Sequence, residues 1–373
     1  MLKRKCIFLA GGGTGGHVFP ALAIAEALRK IQPDIVIKFI GTRSGMESRL
    51  VPAHDLLFLP VGKLNFSGRY LKKLVTLIKL PWALFLSILY LLYYRPSWVL
   101  GVGGYASGPM VLVASLLGFR TAIWEANARP GLTNRLLARW VDCIFVVFDS
   151  AKKHLGHSSK IIEEGMPIRE EIEVSWARLQ EPRELKDQVS LPSQLPDHFV
   201  IFVFGGSQGA RAINQVVFQL VQRYSPVFEQ EKIQLIHQTG VLDFEQAKSV
   251  YQPFRHFVTF YDFIKDMPAF YRKAHLAICR AGASTVAELK AFGLVPIFIP
   301  LPIADNHQVD NASDIFAKNA GFLILQSELT VEKLWEMILA IKRNPQLRME
   351  MSQRLRSLHV PGASTRIAQK LLS

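Results

Sequence analysis

A histidine follows directly on a glycine-rich stretch near the start of the chain, in the sequence GGGTGGH at residues 11–17. An apolar run precedes the glycines and a helical pattern follows them, so His17 is predicted near a helix N-terminus. The helix dipole disfavours a positive charge there, and a neutral imidazole can accept a proton from a hydroxyl group. His17 is therefore a candidate general base; a structural or solvated histidine is the alternative that the spacing leaves open.

The same glycines satisfy the dinucleotide-binding pattern G-x-G-x-x-G, which also requires an acidic residue at the end of the second strand. The second strand pattern ends in Gly41, Thr42 and Arg43, without a carboxylate, and Glu47 comes too late, in a new helical stretch. A nicotinamide cofactor is therefore disfavoured. Glycines before a helix still let a phosphate approach free N–H groups closely, and tight strand–helix packing is the alternative.

A second cluster of polar residues lies in the C-terminal half, in the sequence CRAGASTVAELKAFGLVPIFIPLPIADNHQVDNA. Ala283, Ser284 and Thr285 are predicted to begin a helix, whose first N–H groups can bind phosphate. Glu288 follows about one turn later, and its carboxylate can accept hydrogen bonds from paired sugar hydroxyls. A helix residue favoured by the dipole is the alternative for Glu288. The next polar loop supplies further candidates for sugar recognition, namely Asn306, His307, Gln308 and Asn311.

Short β-branched runs alternate with longer helical patterns along the chain, which is typical of parallel sheets covered by helices. The two halves also begin alike, with IFLAGGGTGGHVFPALAIAEAL in the first and IFVFGGSQGARAINQVVFQL in the second. The predicted fold class is α/β, with two Rossmann-like domains whose parallel strands point their C-terminal ends at a central cleft. A polar stretch with three prolines, residues 175–197, is predicted to link the domains.

Composition limits the classes of function. The chain has 373 residues, half of them hydrophobic, which suits two domains with large cores. Its formal net charge of +14 indicates anionic partners, with solubility as the alternative. No nucleic-acid-reading motif occurs, so nucleic acid is disfavoured as a partner. Cys6, Cys143 and Cys279 match neither a zinc site nor a disulfide framework, which suits a reducing cytosol, and no cleavable signal peptide is recognised.

An apolar segment within residues 64–98 carries no charge from Leu80 to Tyr94, which is fifteen residues against the roughly twenty that span a bilayer. A membrane-spanning helix is therefore disfavoured. Two overlapping interpretations remain, a buried helix and a helix with one face in the lipid headgroup region. In the second, lysines would meet acidic lipid and aromatic rings would enter the interface; the candidates are Lys72, Lys73, Trp82, Phe85 and Tyr90.

Eight motifs occur in an order that resembles the MurG family, bacterial glycosyltransferases of peptidoglycan synthesis. They are GGGTGGHVFPALA, GVGGYASGP, NARPGLTNRLLAR, GMPIR, GGSQGA, HQTG, RAGASTVAE and PLPIADNHQVDNA, and they extend over nearly the whole chain. The resemblance implies the two-domain GT-B architecture and transfer of N-acetylglucosamine (GlcNAc) from UDP-GlcNAc to undecaprenyl-pyrophosphoryl-MurNAc-pentapeptide. The acceptor atom is the 4-hydroxyl of N-acetylmuramic acid (MurNAc), the donor's anomeric carbon is inverted, and lipid I becomes lipid II. No cofactor and no metal ion are implied.

The resemblance also implies roles for individual residues. His17 matches the proposed general base, and Glu288 matches the residue that holds the uridine ribose. Donor contacts are implied for Asn127, Arg169, Ser207, Phe263, Ile264, Ala283, Ser284, Thr285, His307, Gln308 and Asn311. Contacts to the acceptor pyrophosphate are implied for Thr14, Gly15, Gly16, Gly104 and Tyr105. Two departures are Trp124 and Ala126, which stand in WEANA where the family has HEQNA.

By the same resemblance, residues 1–169 form an acceptor- and membrane-binding domain, which the helix at about residues 355–373 joins, and residues 170–354 bind UDP-GlcNAc. The implied partners are UDP-GlcNAc, lipid I and an anionic membrane surface, with cell-wall synthesis or division proteins as further candidates. The implied location is peripheral, at the cytoplasmic face of the bacterial plasma membrane. Two alternatives stay open. One is a GT-B relative, such as a UDP-GlcNAc 2-epimerase or a transferase with another acceptor; the other is a non-catalytic membrane-binding protein.

Overall fold

The computed structural model describes most of the chain and leaves nine internal gaps after residue 5. The described residues are 5–13, 15–43, 45–61, 70–156, 158–168, 172–174, 176–177, 198–206, 209–302 and 306–373, with backbone alone for 70–78 and 158. The predicted linker at 175–197 lies outside them except for residues 176 and 177. By its internal contacts the chain divides into two compact units. Unit 1 comprises Met1–Arg169 and Val360–Ser373, and unit 2 comprises Glu170–His359.

The sheet of unit 1 has seven strands, which are paired in parallel in the order β3-β2-β1-β4-β5-β6-β7. Every residue of the central strands β1 and β4 is buried, because helices cover both faces of the sheet. The strands are β1 Cys6–Gly11, β2 Val36–Gly41, β3 Leu56–Phe58, β4 Trp98–Gly103, β5 Thr121–Glu125, β6 Cys143–Val146 and β7 Ile161–Glu163. The helices are α1 Gly15–Ile31, α2 Glu47–Leu50, α3 Tyr70–Tyr94, α4 Ser107–Leu116, α5 Leu132–Leu137 and α6 Lys152–Leu155.

The sheet of unit 2 has six strands, again all parallel, in the order β10-β9-β8-β11-β12-β13. The strands are β8 Phe199–Phe204, β9 Ile233–Gln238, β10 Val258–Tyr261, β11 Leu276–Cys279, β12 Pro296–Phe298 and β13 Phe322–Leu323. The helices are α7 Arg211–Gln230, α8 Phe244–Tyr251, α9 Met267–Lys273, α10 Ala283–Phe292, α11 His307–Ala317, α12 Val331–Arg343 and α13 Pro345–Ser357. The predicted class, α/β with two Rossmann-like parallel sheets, is confirmed.

Side-chain chemistry explains where the outer helices of unit 2 begin. The hydroxyl of Thr330 accepts a hydrogen bond from the Lys333 N–H and caps α12, and Asn344 caps α13 in the same way. The buried residues of α12 recur at helical spacing and face the core. Within that core the ring of Trp335 stacks on Tyr224, with centroids 4.8 Å apart. Capping and the apolar stripe therefore fix both the start and the packing of α12.

The last helix, α14 (Ala363–Leu372), belongs to unit 1, although the whole of unit 2 precedes it in the chain. Its buried face packs against α1. The guanidinium of Arg366 donates to the carboxylate of Glu164 and, at 3.0 Å, to the carbonyl of Glu164. Glu164 directly follows β7. An edge of the sheet and the α1 layer are thus both held by α14.

Strand order reverses at one point in each sheet, between β1 and β4 in unit 1 and between β8 and β11 in unit 2. Open parallel sheets bind ligands at the carboxyl ends of the strands beside such a point. The glycine-rich turns of the sequence follow these very strands, β1, β4, β8 and β11. The fold therefore gives each unit one candidate ligand position.

Candidate active site

In unit 1, the loops that follow β1 and β4 interlock through their glycines. The Gly12 N–H donates to the Gly103 carbonyl at 3.2 Å. A Cβ on Gly11 would lie 2.2 Å from that carbonyl oxygen, and a Cβ on Gly104 would lie 2.4 Å from the Gly12 oxygen. Gly103 and Gly104 also have positive φ angles of 96° and 84°, which favour glycine. The two backbones approach so closely that neither loop accepts a side chain at these positions.

His17 lies in the first turn of α1, above this pair of loops. Its ring packs on Gly103, since a Cβ there would lie 2.7 Å from both Nδ1 and Cε1 of the imidazole. The side chain is half-buried. The missing side chain of Gly103 thus makes the space in which the predicted base sits.

The predicted acceptor residues surround the same point of unit 1. Gly15 and Gly16 are the first residues of α1, so their N–H groups have no partner one turn earlier within the helix. Tyr105 is exposed beside Gly104. Thr14 lies outside the described residues. The N–H groups at the N-terminus of α1 suit a pyrophosphate, whereas the Gly12 N–H is already bonded to Gly103.

Glu125, at the end of β5, organises the loop that carries Asn127. Its buried carboxylate accepts from the Asn127 N–H at 2.9 Å, the Gly131 N–H at 3.0 Å and the Asn134 side-chain amide at 2.8 Å. Asn127, the predicted donor-sugar contact, is therefore oriented by Glu125 and belongs to unit 1. Asn134 was not singled out in the sequence, because its role depends on a contact across nine residues.

The two departures from the family pattern are core positions in this chain. Trp124 is 1% exposed and Ala126 is 5% exposed, on either side of Glu125. Apolar residues at these positions fill the interior of unit 1. Both residues leave the carboxylate of Glu125 in place.

In unit 2, the turn after β11 presents the start of α10. The residue before the helix, Gly282, has extended dihedral angles, and no side chain caps the helix. The N–H groups of Ala283, Ser284 and Thr285 therefore form a helix N-terminus of the kind that can bind an anion. Glu288, half-buried in the second turn, accepts a hydrogen bond from the Tyr271 hydroxyl at 2.7 Å. One oxygen of this carboxylate is thus fixed by Tyr271.

Polar side chains tie the turn after β11 to the loop after β12. The Arg280 guanidinium donates to the carbonyls of Ile299 at 2.9 Å and Pro300 at 3.1 Å. The amide of Asn311, which is fully buried, donates to the Ala281 carbonyl at 3.1 Å. The Gln308 side chain accepts from the Leu301 N–H at 3.0 Å. Asn311 and Gln308, predicted to contact the donor sugar, brace these two loops, and His307 begins α11 beside them.

The residues predicted near uracil lie in the loop after β10. The Ile264 N–H donates to the Gln238 side chain at 2.8 Å, and the Phe263 N–H donates to the Asp262 carboxylate at 2.7 Å. A ligand that contacted these N–H groups would displace Gln238 or Asp262. The remaining predicted donor residues, Ser207 and Arg169, lie outside the described residues.

A buried polar network supports the glycine loop after β8. His237 on β9 contacts the Tyr251 hydroxyl through Nδ1 at 2.7 Å and the Asn214 side-chain oxygen through Nε2 at 3.0 Å. The Asn214 amide nitrogen donates to the Thr239 carbonyl and to Asp243, so its oxygen accepts from Nε2–H of His237. A Cβ on Gly209 would lie 2.2 Å from the Thr239 oxygen. The motifs HQTG and GGSQGA therefore pack directly on each other.

Acidification is expected to destabilise unit 2 through His237. Burial lowers the pKa of His237 to about 3, so between that value and the ordinary value of about 6.5 the unfolded chain binds a proton that the native chain excludes. Stability should fall as the pH drops from about 6.5 towards 3, by up to about 1.4 kcal/mol per pH unit. Hydrogen exchange of the β9 amides across this range measures the effect. His237→Gln should flatten the curve.

A cavity of about 490 Å³ in unit 2 does not belong to this site. Its lining includes His275 and Val295, which directly precede β11 and β12, so it lies at the amino ends of the strands. The turn that leads into α10 follows the carboxyl end of β11. Two arginines of the lining, Arg348 and Arg356, donate to the carbonyls of Ile341 and Phe292 and have a structural role.

The exposed side of α3 in unit 1 is strongly apolar. Ala83, Ser87 and Leu91 are buried at every fourth position and face the core. The opposite side exposes five large apolar side chains, which we call the α3 apolar face: Trp82, Phe85, Leu89, Leu92 and Tyr93. Leu80 is exposed as well, although the helical period places it on the side of Ala83. The rings of Trp82 and Phe85 stack, with centroids 5.4 Å apart. No described helix is both long and apolar enough to cross a membrane.

Tyr90 differs from its prediction as a lipid contact. Its ring packs against the core of unit 1, and its hydroxyl donates to the Phe58 carbonyl at 3.2 Å. The helical period places residue 90 between the buried and exposed sides of α3, and the carbonyl at the end of β3 turns it inward. The side chains of Lys72 and Lys73 lie outside the described part of the chain, and Lys79 is exposed.

Comparison with known proteins gives the same family over both units. Residues 7–146 match the glycosyltransferase family 28 N-terminal domain, and residues 200–367 match the C-terminal domain of that family. A relative from Bdellovibrio bacteriovorus is 42% identical, and the similarity covers 100% of both chains. It is named UDP-N-acetylglucosamine–N-acetylmuramyl-(pentapeptide) pyrophosphoryl-undecaprenol N-acetylglucosamine transferase.

Solved structures agree with this similarity. MurG from Acinetobacter baumannii superposes with a TM-score of 0.77 at 29% identity and covers 99% of each chain. A UDP-GlcNAc 2-epimerase from Neisseria meningitidis, at 17% identity and a TM-score of 0.65, shares the fold alone. The 42% identity to the Bdellovibrio transferase over both full chains is far above the 17% identity to this epimerase. The chain therefore belongs to glycosyltransferase family 28, within its MurG group.

Proposed function

We propose that the protein transfers GlcNAc from UDP-GlcNAc to the 4-hydroxyl of MurNAc in lipid I, with inversion, and so produces lipid II. The observation that carries this proposal is the similarity to a relative named for this transfer, which extends from end to end of both chains. A similarity of that extent includes the first glycine loop, the donor turn and the loop of Glu125. An epimerase is supported by fold similarity alone.

The described residues of unit 2 suit the donor. The N-terminus of α10 would bind the diphosphate of UDP-GlcNAc through the N–H groups of residues 283–285. Glu288, anchored by Tyr271, would accept hydrogen bonds from the ribose hydroxyls. As the sugar–phosphate bond breaks, negative charge grows on the departing diphosphate, and the same N–H groups stabilise it without reorganisation.

The described residues of unit 1 suit the acceptor. The N-terminus of α1, beside the two interlocked glycine loops, would bind the pyrophosphate of lipid I. His17 would accept the proton of the 4-hydroxyl as its oxygen attacks the anomeric carbon of the donor. A single displacement of this kind inverts the configuration at that carbon. The imidazole packs on Gly103 in the first turn of α1, beside the N–H groups proposed to bind the pyrophosphate.

A transfer assay tests the proposed function. The protein is incubated with radiolabelled UDP-GlcNAc and a lipid I analogue, and the label is expected in the lipid product. Release of free sugar or epimerised UDP-sugar without transfer would favour the GT-B relative. Absence of any UDP binding would favour a non-catalytic membrane protein and contradict the proposal.

We also propose that the α3 apolar face binds the cytoplasmic surface of the bacterial plasma membrane, where the lipid acceptor lies. Five large apolar side chains on one side of a helix exceed what a solvated surface requires. Such a face can enter the headgroup region without crossing the bilayer. The net charge of +14 would add attraction to anionic lipid.

Replacing Trp82 and Phe85 together by serine is expected to weaken binding to anionic vesicles by at least about tenfold, because each aromatic ring contributes on the order of 1.5–3 kcal/mol when buried. Co-sedimentation with vesicles measures the change. Leu242→Ser is the matched control, since Leu242 is 81% exposed but lies in unit 2. Equal release of both variants, or of neither, would contradict a membrane role for α3.

A further inference from the structure

Glu47, the first residue of α2, has a buried carboxylate directly beneath the first glycine loop. The side chain is 2% exposed. Its Oε2 accepts from the Gly13 N–H at 2.7 Å, and its Oε1 accepts from the Thr42 N–H at 2.7 Å and the Thr42 hydroxyl at 3.0 Å. The carboxylate therefore joins the loop after β1 to the loop after β2.

Three glycines make the space for this carboxylate. A Cβ on Gly12 would lie 2.3 Å from the Glu47 carboxyl carbon, and a Cβ on Gly45 would lie 2.1 Å from Oε2. A Cβ on Gly41 would lie 2.5 Å from Cγ of Glu47. The glycine content of this region therefore serves the buried acid as well as a ligand. Because an uncompensated carboxylate is costly to bury, its three hydrogen bonds are a strong constraint on both loops.

The bond to Gly13 acts on the part of the loop that leads to the base. Gly13 precedes the start of α1 by two residues and His17 by four. The Gly13 N–H donates to Glu47, and the Gly13 carbonyl oxygen lies 3.5 Å from the Met46 nitrogen. Two adjacent residues, Met46 and Glu47, therefore contact both the N–H and the carbonyl of Gly13. A carboxylate only accepts hydrogen bonds, so it turns the Gly13 N–H inward.

We propose that Glu47 is a positioning residue for transfer, which holds the first glycine loop so that the N-terminus of α1 and His17 meet the acceptor. This inference rests on the proposed function. Glu47 touches no substrate in this scheme and acts through Gly13. It belongs to unit 1, so its loss affects the acceptor constants and leaves the donor constants of unit 2 unchanged.

The test is Glu47→Gln in the full-length protein. A glutamine keeps the shape but turns its NH₂ group towards an N–H or hydroxyl donor, so one of the two loops loses its acceptor. We expect kcat/KM for a lipid I analogue to fall about ten- to a hundredfold, with KM for UDP-GlcNAc within about twofold of the wild-type value. Hydrogen exchange at the Gly13 amide should accelerate by a similar factor. Glu26→Gln is the matched control, at an exposed carboxylate on α1.

Two outcomes would overturn the proposal. One is a lower kcat with both KM values unchanged and wild-type hydrogen exchange at the Gly13 amide. A smaller folded fraction would produce that result without any positioning role. The other is wild-type kinetics. If Glu47→Gln fails to fold, Glu47→Asp keeps the charge but is one methylene shorter, and it should show the same acceptor-specific loss. Hydrogen exchange needs no substrate. It therefore measures whether Glu47 holds the Gly13 amide even if the wild-type protein shows no transfer.

Discussion

Replacement of His17 by alanine is expected to lower the turnover of GlcNAc transfer by a factor of about 10²–10⁴, the range typical of a positioned acid or base. The imidazole packs on Gly103 at the junction of the two glycine loops, where the pyrophosphate of the acceptor is proposed to bind. UDP is proposed to bind residues of unit 2, so its dissociation constant should stay unchanged. Steady-state kinetics and UDP titration of the same preparation measure the two effects separately.

Two further variants make the assignment of His17 specific. His54→Ala removes a histidine of unit 1 whose side chain is 80% exposed, and it should have wild-type turnover. Gly103→Ala places a Cβ 2.7 Å from the His17 ring, at a residue with a φ of 96°, and should displace the base while leaving it in the protein. Near-normal turnover of His17→Ala would remove the assignment and transfer the role to a carboxylate or a water-linked base.

Glu288→Ala is expected to raise KM for UDP-GlcNAc by about ten- to a hundredfold, since hydrogen bonds to a charged group contribute roughly 1.5–3 kcal/mol. The turnover at saturating donor should change much less, because the ribose is remote from the bond that breaks. Initial rates over a range of donor concentrations give both constants.

A variant of Tyr271 tests a smaller change at the same carboxylate. Tyr271→Phe removes the 2.7 Å hydrogen bond that fixes one oxygen of Glu288 but keeps the carboxylate, so KM should rise less than in Glu288→Ala. Glu245→Ala, at an 81% exposed carboxylate of unit 2, is the control. An unchanged KM in Glu288→Ala would show that Glu288 only supports the helix.

The sequence was sufficient for the class of fold and for the ends of the central strands. Apolar runs followed by glycine turns correctly placed β1, β4, β8 and β11, because strands buried on both faces have a strong local signal. Both halves of the sequence begin with the same pattern of strand, glycine turn and helix, and this pattern also predicts a sheet in each half. These features depend on neighbouring residues, which the sequence displays directly.

Contacts between distant segments were not accessible in the same way. By its place in the sequence, Glu47 comes too late to hold a ribose. In the structure its carboxylate lies beneath the loop of residues 11–13 and accepts from the Gly13 N–H, 34 residues earlier in the chain. Asn311 has the composition of a sugar contact, yet in the structure its amide braces the Ala281 carbonyl. Tyr90 was grouped with the lipid contacts on composition, while a carbonyl 32 residues away turns it towards the core.

The position of α14 has a consequence for how the chain is made. Residues 1–169 are synthesised first, and they contain the complete sheet of unit 1. The face of α1 that α14 covers nevertheless stays open until residues 363–372 have been translated, after all of unit 2. Domains generally fold as they leave the ribosome, so the unit that begins folding first is the last to be completed. A nascent chain therefore passes through a long interval in which an apolar surface of unit 1 must be kept from other chains.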